Sequence, residues 1–205
     1  MSSRDIFVVT APSGTGKTTL IRRLLEDLPD VEFSVSYTTR PIRAGEREGV
    51  DYHFIKRDEF DRMVSNGAFL EWAEVHGQRY GTSAKLVDDG LHRGKDVLLD
   101  VDTQGAASVR RLRGDAVLIF ILPPDFETLK KRLAGRGLES SAEVERRIRN
   151  ARAEVERCAE FDYVVINESV DEALVRLEAI LLAHRSRTSR QEEAFGRILA
   201  SFRSG

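Results

Sequence analysis

Apolar residues along this chain occur as short uninterrupted runs that alternate with longer stretches of helical spacing. Strands of a parallel sheet are buried on both faces, so a continuous apolar run is typical of them. Runs of this kind predict four core strands, at 6–10, 97–101, 116–122 and 163–166. Apolar positions three and four residues apart predict helices at 18–28, 84–92, 103–113, 126–134, 142–160 and 170–184. Because strands and helices alternate, we predict an α/β fold with helices on a mostly parallel sheet.

Residues 34–83 interrupt this alternation with shorter and more polar elements. The pattern predicts strands at 33–37, 52–55, 69–75 and 78–80, a turn at Gly77 and a helix at 58–66 capped by Asp58. Trp72 is expected in the core. The segment is therefore predicted to be a small α+β insertion. Near the other end of the sequence, the amphipathic stretch 194–202 fits a packing helix, a subunit contact or a frayed extension.

A glycine-containing loop follows the first predicted strand and precedes the first predicted helix. Its sequence fits the pattern Gly-x-x-x-x-Gly-Lys-Ser/Thr, with Ala11 in place of the first glycine. The backbone N–H groups of such a loop form an anion cradle at a helix N-terminus. We expect a nucleotide triphosphate to bind residues Ser13, Gly14, Thr15, Gly16, Lys17, Thr18 and Thr19. Lysine is otherwise scarce, with six lysines among 32 basic residues.

Within this loop the residues have distinct expected tasks. Gly14 and Gly16 supply backbone conformations with positive φ. Lys17 is expected to reach the β- and γ-phosphates, and the hydroxyl of Thr18 to bind Mg²⁺. Asp100 and Asp102 end the second apolar run, so they are expected at the carboxyl edge of the sheet. There Asp100 would hold Mg²⁺ or its water shell, although aspartate at a strand end is also a common turn former.

Composition narrows the classes of partner. Hydrophobic residues make up 41% and charged residues 32% of the chain, a balance typical of a globular domain. The net charge of −2 argues against general binding to nucleic acid or to anionic membranes. The only cysteine is Cys158, so no internal disulfide can form, and Cys and His form no metal-ligand pattern. Without a targeting segment in the sequence, a cytoplasmic location is expected.

A phosphate-binding loop alone does not specify the reaction. Residues 102–105 fit a loose GTPase pattern, Asp-x-x-Gly, but no Asn-Lys-x-Asp motif accompanies it. Five further strings occur in order, at 34–46 (SVSYTTRPIRAGE), 49–54 (GVDYHF), 69–73 (FLEWA), 80–82 (YGT) and 100–105 (DVDTQG). With these strings the chain resembles the guanylate kinases over about residues 6–184. That family transfers phosphate from ATP to GMP or dGMP.

The resemblance implies an arrangement of three parts. The core P-loop domain would comprise 1–33, 84–125 and 158–205, with GMP bound by the insertion 34–83 and ATP covered by a helical lid at 126–157. Arg40, Arg43, Tyr52 and Tyr80 would bind the GMP phosphate. The residues that would recognise guanine are Ser36, Glu71, Thr82 and Asp102.

The resemblance also implies roles for the lid. Arg132, Arg136 and Arg147 match its arginines, and Asn167 matches a position near adenine. Arg132 and Arg136 would contact the phosphates and the adenine of ATP. Lys17, Arg40, Arg136 and Arg147 would be the catalytic groups, since phosphoryl transfer depends on alignment and dispersal of charge.

Two other functions stay open at this point. A guanylate-kinase-like protein-binding module would have the same fold, but such modules typically carry a degraded P-loop. A kinase of a phosphorylated ribose would lack the guanine-recognising set of Ser36, Glu71 and Asp102. The sequence leaves the choice between a monomer and a homo-oligomer undecided.

Overall fold

The computed structural model describes residues 4–75, 77–134 and 141–203. Nine strands occur within these ranges: β1 (Ile6–Thr10), β2 (Val31–Phe33), β3 (Tyr37–Thr38), β4 (His53–Phe54), β5 (Phe69–Val75), β6 (Gln78–Ser83), β7 (Asp96–Asp100), β8 (Val117–Leu122) and β9 (Tyr163–Ile166). The helices in the same ranges are α1 (Lys17–Asp27), α2 (Arg57–Ser65), α3 (Ala84–His92), α4 (Thr103–Leu112), α5 (Phe126–Ala134), α6 (Ser141–Glu156), α7 (Val170–Arg185) and α8 (Glu192–Arg203). No helix in the described part of the chain is long and apolar enough to cross a membrane.

The larger sheet is parallel throughout, with strand order β2-β7-β1-β8-β9. All five residues of β1 are buried, as its apolar run predicts for a central strand. Val9 lies opposite both Asp100 of β7 and Ile119 of β8, so the carboxyl ends of the three strands meet at one edge. The four predicted core strands and the α/β fold are confirmed.

One strand assignment was wrong. The stretch 33–37 was predicted as a single strand of the insertion, but the chain forms β2 in the core sheet and β3 in a second sheet. The strand β2 has only three residues, and Glu32 interrupts its apolar pattern. It is held by parallel pairing with β7, in which Val31 lies opposite Asp96. Pairing between distant segments therefore determines an element that its own sequence hardly indicates.

Helices cover both faces of the core sheet. On one face, Phe7 and Val9 of β1 belong to a buried cluster with Leu24 of α1 and Leu177 of α7. On the other face, Val8 belongs to a cluster with residues of α3 and α4. Successive side chains of a strand point to opposite faces, so the continuous apolar run of β1 serves both clusters.

The insertion forms a second sheet with order β4-β3-β6-β5, in which only the β3–β4 pair is parallel. Phe60 of α2 stacks on Phe69 with ring centroids 4.5 Å apart. Trp72 was predicted to be in the core, but it is 45% exposed, with the guanidinium of Arg79 over its ring. Its neighbour Glu71 is buried instead, since adjacent strand residues face opposite ways.

The predicted cap of α2 was also wrong. The residue before the helix is Lys56, and no side chain caps the helix. Asp58 lies within the first turn, where a carboxylate is favoured by the helix dipole rather than by a capping bond.

Two further helical segments lie apart from the core clusters. The helices α5 and α6 share a small buried cluster of their own, formed by Leu129, Leu133 and Ala151. The predicted amphipathic stretch 194–202 is helical within α8. Its apolar side chains are largely exposed, with Ile198 at 57% and Phe202 at 82%, so they do not pack as core residues.

Candidate active site

The loop between β1 and α1 ends at a helix N-terminus that no side chain caps. Gly16 occupies the capping position with φ of 97°. The first N–H groups of a helix have no partner within the helix, so those of Lys17, Thr18 and Thr19 can meet an anion. Thr18 and Thr19 are exposed in this first turn. The loop therefore has the geometry of a phosphate cradle.

Positive φ at two glycines confirms the expectation for this loop, since Gly14 has φ of 87° and Gly16 of 97°. A Cβ built on Gly16 would lie 2.8 Å from Nδ2 of Asn167, and one on Gly14 would lie 2.9 Å from Cδ2 of Leu133. Glycine is thus needed at both positions for backbone conformation and for space. Ala11 packs against the core cluster around β1.

Side chains from other elements support the loop from behind. The carbonyl oxygen of Thr15 accepts hydrogen bonds from Nδ2 of Asn167, at 2.6 Å, and from the guanidinium of Arg132, at 3.2 Å. Asn167 is 1% exposed and follows β9 directly. The structure thus places Asn167 and Arg132 against the loop backbone, where they fix its position.

The ammonium group of Lys17 contacts the carboxylate of Asp100 at the end of β7. This ion pair joins the phosphate-binding loop to the neighbouring strand at the carboxyl edge of the sheet. The guanidinium of Arg147 on α6 donates to the hydroxyl of Ser13 at 2.5 Å. The helix α6, which belongs to the predicted lid, therefore contacts the loop directly. Arg136 lies outside the described residues.

A cavity of about 220 Å³ opens beside Lys17, between the core sheet and the insertion. Core residues that line it are Thr10, Ala11, Lys17, Asp100, Val101 and Asp102. Insertion residues that line it are Ser36, Tyr52, Glu71, Ala73, Val75 and Tyr80, and Glu154 contributes from α6. The fold thus brings together residues that were predicted to bind phosphate and to recognise guanine, although they are far apart in sequence.

Two of the carboxylates that line this cavity, those of Glu71 and Asp102, were predicted to recognise guanine. Glu71 is 8% exposed, and its Oε1 accepts a hydrogen bond from the hydroxyl of Thr82 at 2.5 Å. Burial raises the pKa of Glu71 and nearby Asp102 raises it further, while the bond from Thr82 opposes the shift. Asp102 accepts from the N–H of Gly105 at 2.7 Å and so caps α4. Thr82 lies behind Glu71 and orients it.

Two phenols lie at another part of the cavity wall. The rings of Tyr52 and Tyr80 meet edge to face, with centroids 5.8 Å apart. Burial, with a smaller effect of Asp100, raises the pKa of Tyr52 to about 12. The guanidinium of Arg40 lies over the Tyr52 ring, 5.3 Å from its centroid. Tyr52 is therefore a protonated hydrogen-bond donor at neutral pH.

The two predicted arginines of the insertion do not line the cavity themselves. Both terminal nitrogens of Arg40 donate to Glu46, at 2.7 and 3.0 Å. The backbone N–H of Arg43 donates to the same carboxylate at 2.8 Å, while the Arg43 side chain is on an exposed loop. Glu46 was not singled out from the sequence, although it closes the string 34–46 that also contains both arginines.

Glu154 is a second residue that sequence reasoning missed. It lies on α6 seven residues after Arg147, which places both on one face of the helix. Burial raises the pKa of Glu154; nearby Lys17 opposes this rise and Asp102 adds to it. The helical spacing from Arg147 could have pointed to this residue, because Arg147 was already assigned to the site.

Comparison with known proteins identifies the family of this chain. The family model described as guanylate kinase matches residues 3–184. The guanylate kinase of Syntrophotalea carbinolica is 46% identical over 193 residues, which cover 94% of this chain and 92% of that protein. The guanylate kinase of Dechloromonas aromatica is 51% identical over 179 residues, covering 87% and 89%.

A solved structure shares the fold as well. The crystal structure of guanylate kinase from Anaplasma phagocytophilum superposes with a TM-score of 0.77 at 37% identity, covering 93% of this chain and 90% of that one. The family model spans most of the chain, and both relatives exceed 40% identity over nearly their full length. This chain belongs to the guanylate kinase family.

Proposed function

We propose that this protein transfers the γ-phosphoryl group of ATP to GMP, and also to dGMP, giving ADP and GDP or dGDP. One observation carries the proposal. A single cavity is lined by the P-loop lysine Lys17 and by the carboxylates Glu71 and Asp102 of the base-recognising set. A phosphate donor and a guanine-bearing acceptor would therefore meet in one enclosure, which proximity requires of a two-substrate transfer.

Selectivity for guanine would come from the carboxylate of Glu71. Guanine presents two neighbouring donors, its N1–H and its exocyclic amine, and a carboxylate can accept from both. Adenine has no such pair, so it would leave the buried Glu71 without partners. Ser36, Thr82 and Asp102 complete this set in our proposal. A site with buried polar groups discriminates strongly against a ligand that leaves them unpaired.

The phosphate of GMP would bind Tyr52 and Tyr80, with Arg40 behind them and Arg43 approaching from its loop. Arg40 is held by Glu46 in this structure, so GMP would have to take over some of these hydrogen bonds. A dianionic phosphate can compete because it offers oxygen acceptors to the same guanidinium fork. Since the pKa of Tyr52 is raised to about 12, its hydroxyl remains a donor to the phosphate.

ATP would bind residues 13–19 through the N–H groups of the loop and the ammonium of Lys17. Arg132 and Asn167 hold the loop backbone through the Thr15 carbonyl, which supports their assignment to the ATP site. A direct contact between Asn167 and adenine stays a prediction.

Mg²⁺ fits the oxygen groups near the loop. Among the described residues no group of three or more His, Cys, Asp or Glu side chains could enclose a metal ion. Mg²⁺ in kinases keeps several waters and takes only one or two protein oxygens beside the nucleotide phosphates. The Asp100 carboxylate and the Thr18 hydroxyl would serve as those oxygens, and bound Mg²⁺ would neutralise charge on the β- and γ-phosphates.

No residue need act as a strong general base, because the GMP phosphate is already an anionic nucleophile. The protein would contribute alignment and positive charge, from Lys17 in the cavity, from Arg40 beside it and from Arg147 and Arg136 in the lid. We assign 34–83 to GMP binding, 126–157 to the lid, and 1–33, 84–125 and 158–205 to the core. Closure of the lid would exclude water from the transferring group.

The deciding experiment measures ADP release with ATP, Mg²⁺ and each of GMP, dGMP, AMP, CMP and UMP. We expect turnover only with the two guanine nucleotides, as for an enzyme acting on free cytoplasmic nucleotides rather than on nucleic acid or membrane. Turnover with none of the five would overturn the proposal. Comparable turnover with AMP would overturn the role of Glu71.

A paired substitution tests the assignment of the P-loop. Lys17→Ala is expected to abolish turnover and to leave the Kd of GMP largely unchanged, because Lys17 belongs to the donor side. Lys85→Ala is the matched control, since Lys85 is an exposed lysine of α3 paired with Asp89 at the surface. An equal loss of turnover and of GMP binding in Lys17→Ala would mean that the two nucleotide sites are misassigned.

A further inference from the structure

Among the described residues that line the cavity, Glu154 is the one charged side chain without a role in the proposed reaction. The polar side chains that line the cavity are Thr10, Lys17, Ser36, Tyr52, Glu71, Tyr80, Asp100, Asp102 and Glu154. The Thr10 hydroxyl donates to the carbonyl of Val101 at 2.9 Å and is thereby satisfied. The others, apart from Glu154, are assigned to guanine, to the GMP phosphate, to ATP or to Mg²⁺.

One part of GMP likewise has no assigned partner. The nucleotide has a base, a ribose and a phosphate, and the ribose connects the other two. Its 2′- and 3′-hydroxyl groups are neighbouring donors, and a carboxylate has two oxygens with which to accept from them. Carboxylates bind ribose hydroxyls in this way at other nucleotide sites.

The surroundings of Glu154 fit such a partner. Lys17 lies on the donor side and Asp102 on the base-recognising side, and both charges influence the pKa of Glu154. The carboxylate thus lies within electrostatic range of both ends of the cavity. Burial disfavours its charged form, so an incoming donor pair would satisfy a carboxylate that is costly to bury unpaired.

The position of Glu154 is held by contacts on either side of it along the chain. Arg147, two turns earlier on α6, donates to Ser13 of the P-loop at 2.5 Å. Arg157, just after α6, donates to the hydroxyl of Thr103 at the start of α4 at 2.8 Å. Between these contacts Ala151 is buried on the same helix. The carboxylate is therefore carried by a rigid element rather than by a loose loop.

We propose that Glu154 is the acceptor for the ribose hydroxyl groups of GMP and thereby a specificity residue that favours ribonucleotide over deoxyribonucleotide. The inference rests on the proposed function. It goes beyond it by assigning sugar recognition to the lid helix, so that GMP itself contributes a contact to the closed lid.

The test compares kcat/KM for GMP, 2′-deoxy-GMP and 3′-deoxy-GMP in the wild-type protein and in Glu154→Ala. Losing a charged acceptor is expected to lower kcat/KM for GMP by about tenfold or more. The analogue that lacks the bonded hydroxyl makes no such bond, so its kcat/KM is expected to change less. The ratio of kcat/KM for GMP to kcat/KM for at least one analogue is therefore expected to fall by about the same factor. Glu154→Gln keeps one acceptor oxygen and is expected to restore part of that ratio.

Glu156→Ala is the matched control, because Glu156 is an exposed glutamate on the same helix and does not line this cavity. It is expected to leave both ratios unchanged. Thermal unfolding of each variant identifies any that fail to fold, and Glu154→Gln then supplies the comparison.

An equal loss of kcat/KM for all three nucleotides would overturn the inference, because Glu154 would then act through Lys17 or through the position of the lid. Glu154→Ala with an unchanged kcat/KM for GMP and unchanged kcat/KM ratios would overturn the inference too. Both results leave the proposed function intact as long as the wild-type protein phosphorylates GMP. Failure of the wild-type protein to do so would instead refute the proposed function.

Discussion

Replacement of Glu71 by glutamine separates what this residue contributes to binding from what it costs in stability. The side chain is 8% exposed and its Oε1 accepts from Thr82 at 2.5 Å, so the remaining oxygen, Oε2, is the one left for guanine. A Cβ on Gly105 would lie 2.9 Å from Oε2, which shows how closely α4 approaches this oxygen. Glu71→Gln preserves shape and removes charge and one acceptor.

The new amide can take either of two orientations relative to the Thr82 hydroxyl. If its oxygen keeps the bond from Thr82, its NH₂ group faces the N1–H and amine donors of guanine. If it turns the other way, its NH₂ group faces the Thr82 hydroxyl, which must then accept a hydrogen bond instead of donating one. Either arrangement loses a charge-assisted hydrogen bond, which is worth about 1.5–3 kcal/mol. That loss corresponds to roughly 10- to 150-fold in kcat/KM for GMP.

Whereas Glu71→Gln is expected to lower kcat/KM for GMP, it is expected to raise the free energy of unfolding at neutral pH. Burial raises the pKa of Glu71 above its ordinary value, so the folded protein binds a proton at this site more readily than the unfolded chain does. Ionised Glu71 therefore costs stability above the folded-state pKa, and the cost disappears as pH falls below the unfolded value of about 4.5. Glu71→Gln is expected to be the more stable protein at pH 7, with a difference that shrinks on acidification.

The assays are the nucleotide panel for activity and urea unfolding at several pH values for stability. Glu74→Gln is the control, since Glu74 lies on the same strand but is exposed and paired with Arg57 and Arg79. It is expected to leave kcat/KM for GMP within about twofold, because exposed ion pairs contribute about 0–1 kcal/mol. An unchanged kcat/KM for GMP in Glu71→Gln would refute the assignment of guanine recognition. A variant less stable than the wild type at pH 7 would refute the argument from burial.

Two further predictions concern the phosphate-binding loop. Gly16→Ala is expected to raise KM for ATP and to destabilise the fold by more than about 1 kcal/mol, because it combines positive φ with a close approach to Asn167. The control, Gly45→Ala, has φ of 89° and open space around it, so it adds only the backbone strain. Equal destabilisation of the two variants in thermal unfolding would contradict this prediction. Asn167→Ala is expected to raise KM for ATP more than KM for GMP in steady-state kinetics, because it removes the 2.6 Å hydrogen bond to the Thr15 carbonyl. A selective rise in KM for GMP would show that this hydrogen bond does not support the ATP site.

The phosphate-binding loop could be predicted from sequence because its determinants are adjacent in the chain. A buried strand, two glycines and an uncapped helix start fall within about a dozen residues, and the structure gives each the expected conformation. The strand β2 was missed for the opposite reason, since only its pairing with β7 defines it. Trp72 was misplaced because its aromatic character suggested the core, while the alternation along β5 turns Glu71 inward instead.

The residues proposed to bind the two nucleotides illustrate the same limit. Resemblance placed Glu71 and Thr82 in one site, but only the fold shows that the second orients the first through a hydrogen bond. Glu46 was overlooked because a solvated glutamate in a polar loop is ordinary. In the structure, however, its carboxylate accepts hydrogen bonds from both terminal nitrogens of Arg40. These are contacts between side chains, and periodicity carries no information about them.

The helix α6 shows how one sequence-based assignment can lead to another. Arg147 and Glu154 are seven residues apart, so a helix that directs the arginine to the P-loop must direct the glutamate to the same side. The contact of Arg157 with Thr103 then fixes the end of that helix beside Asp102. A single helix thus approaches both the P-loop, at Ser13, and the start of α4, at Thr103. For that reason we proposed the ribose, which connects base and phosphate, as the part of GMP that this helix binds.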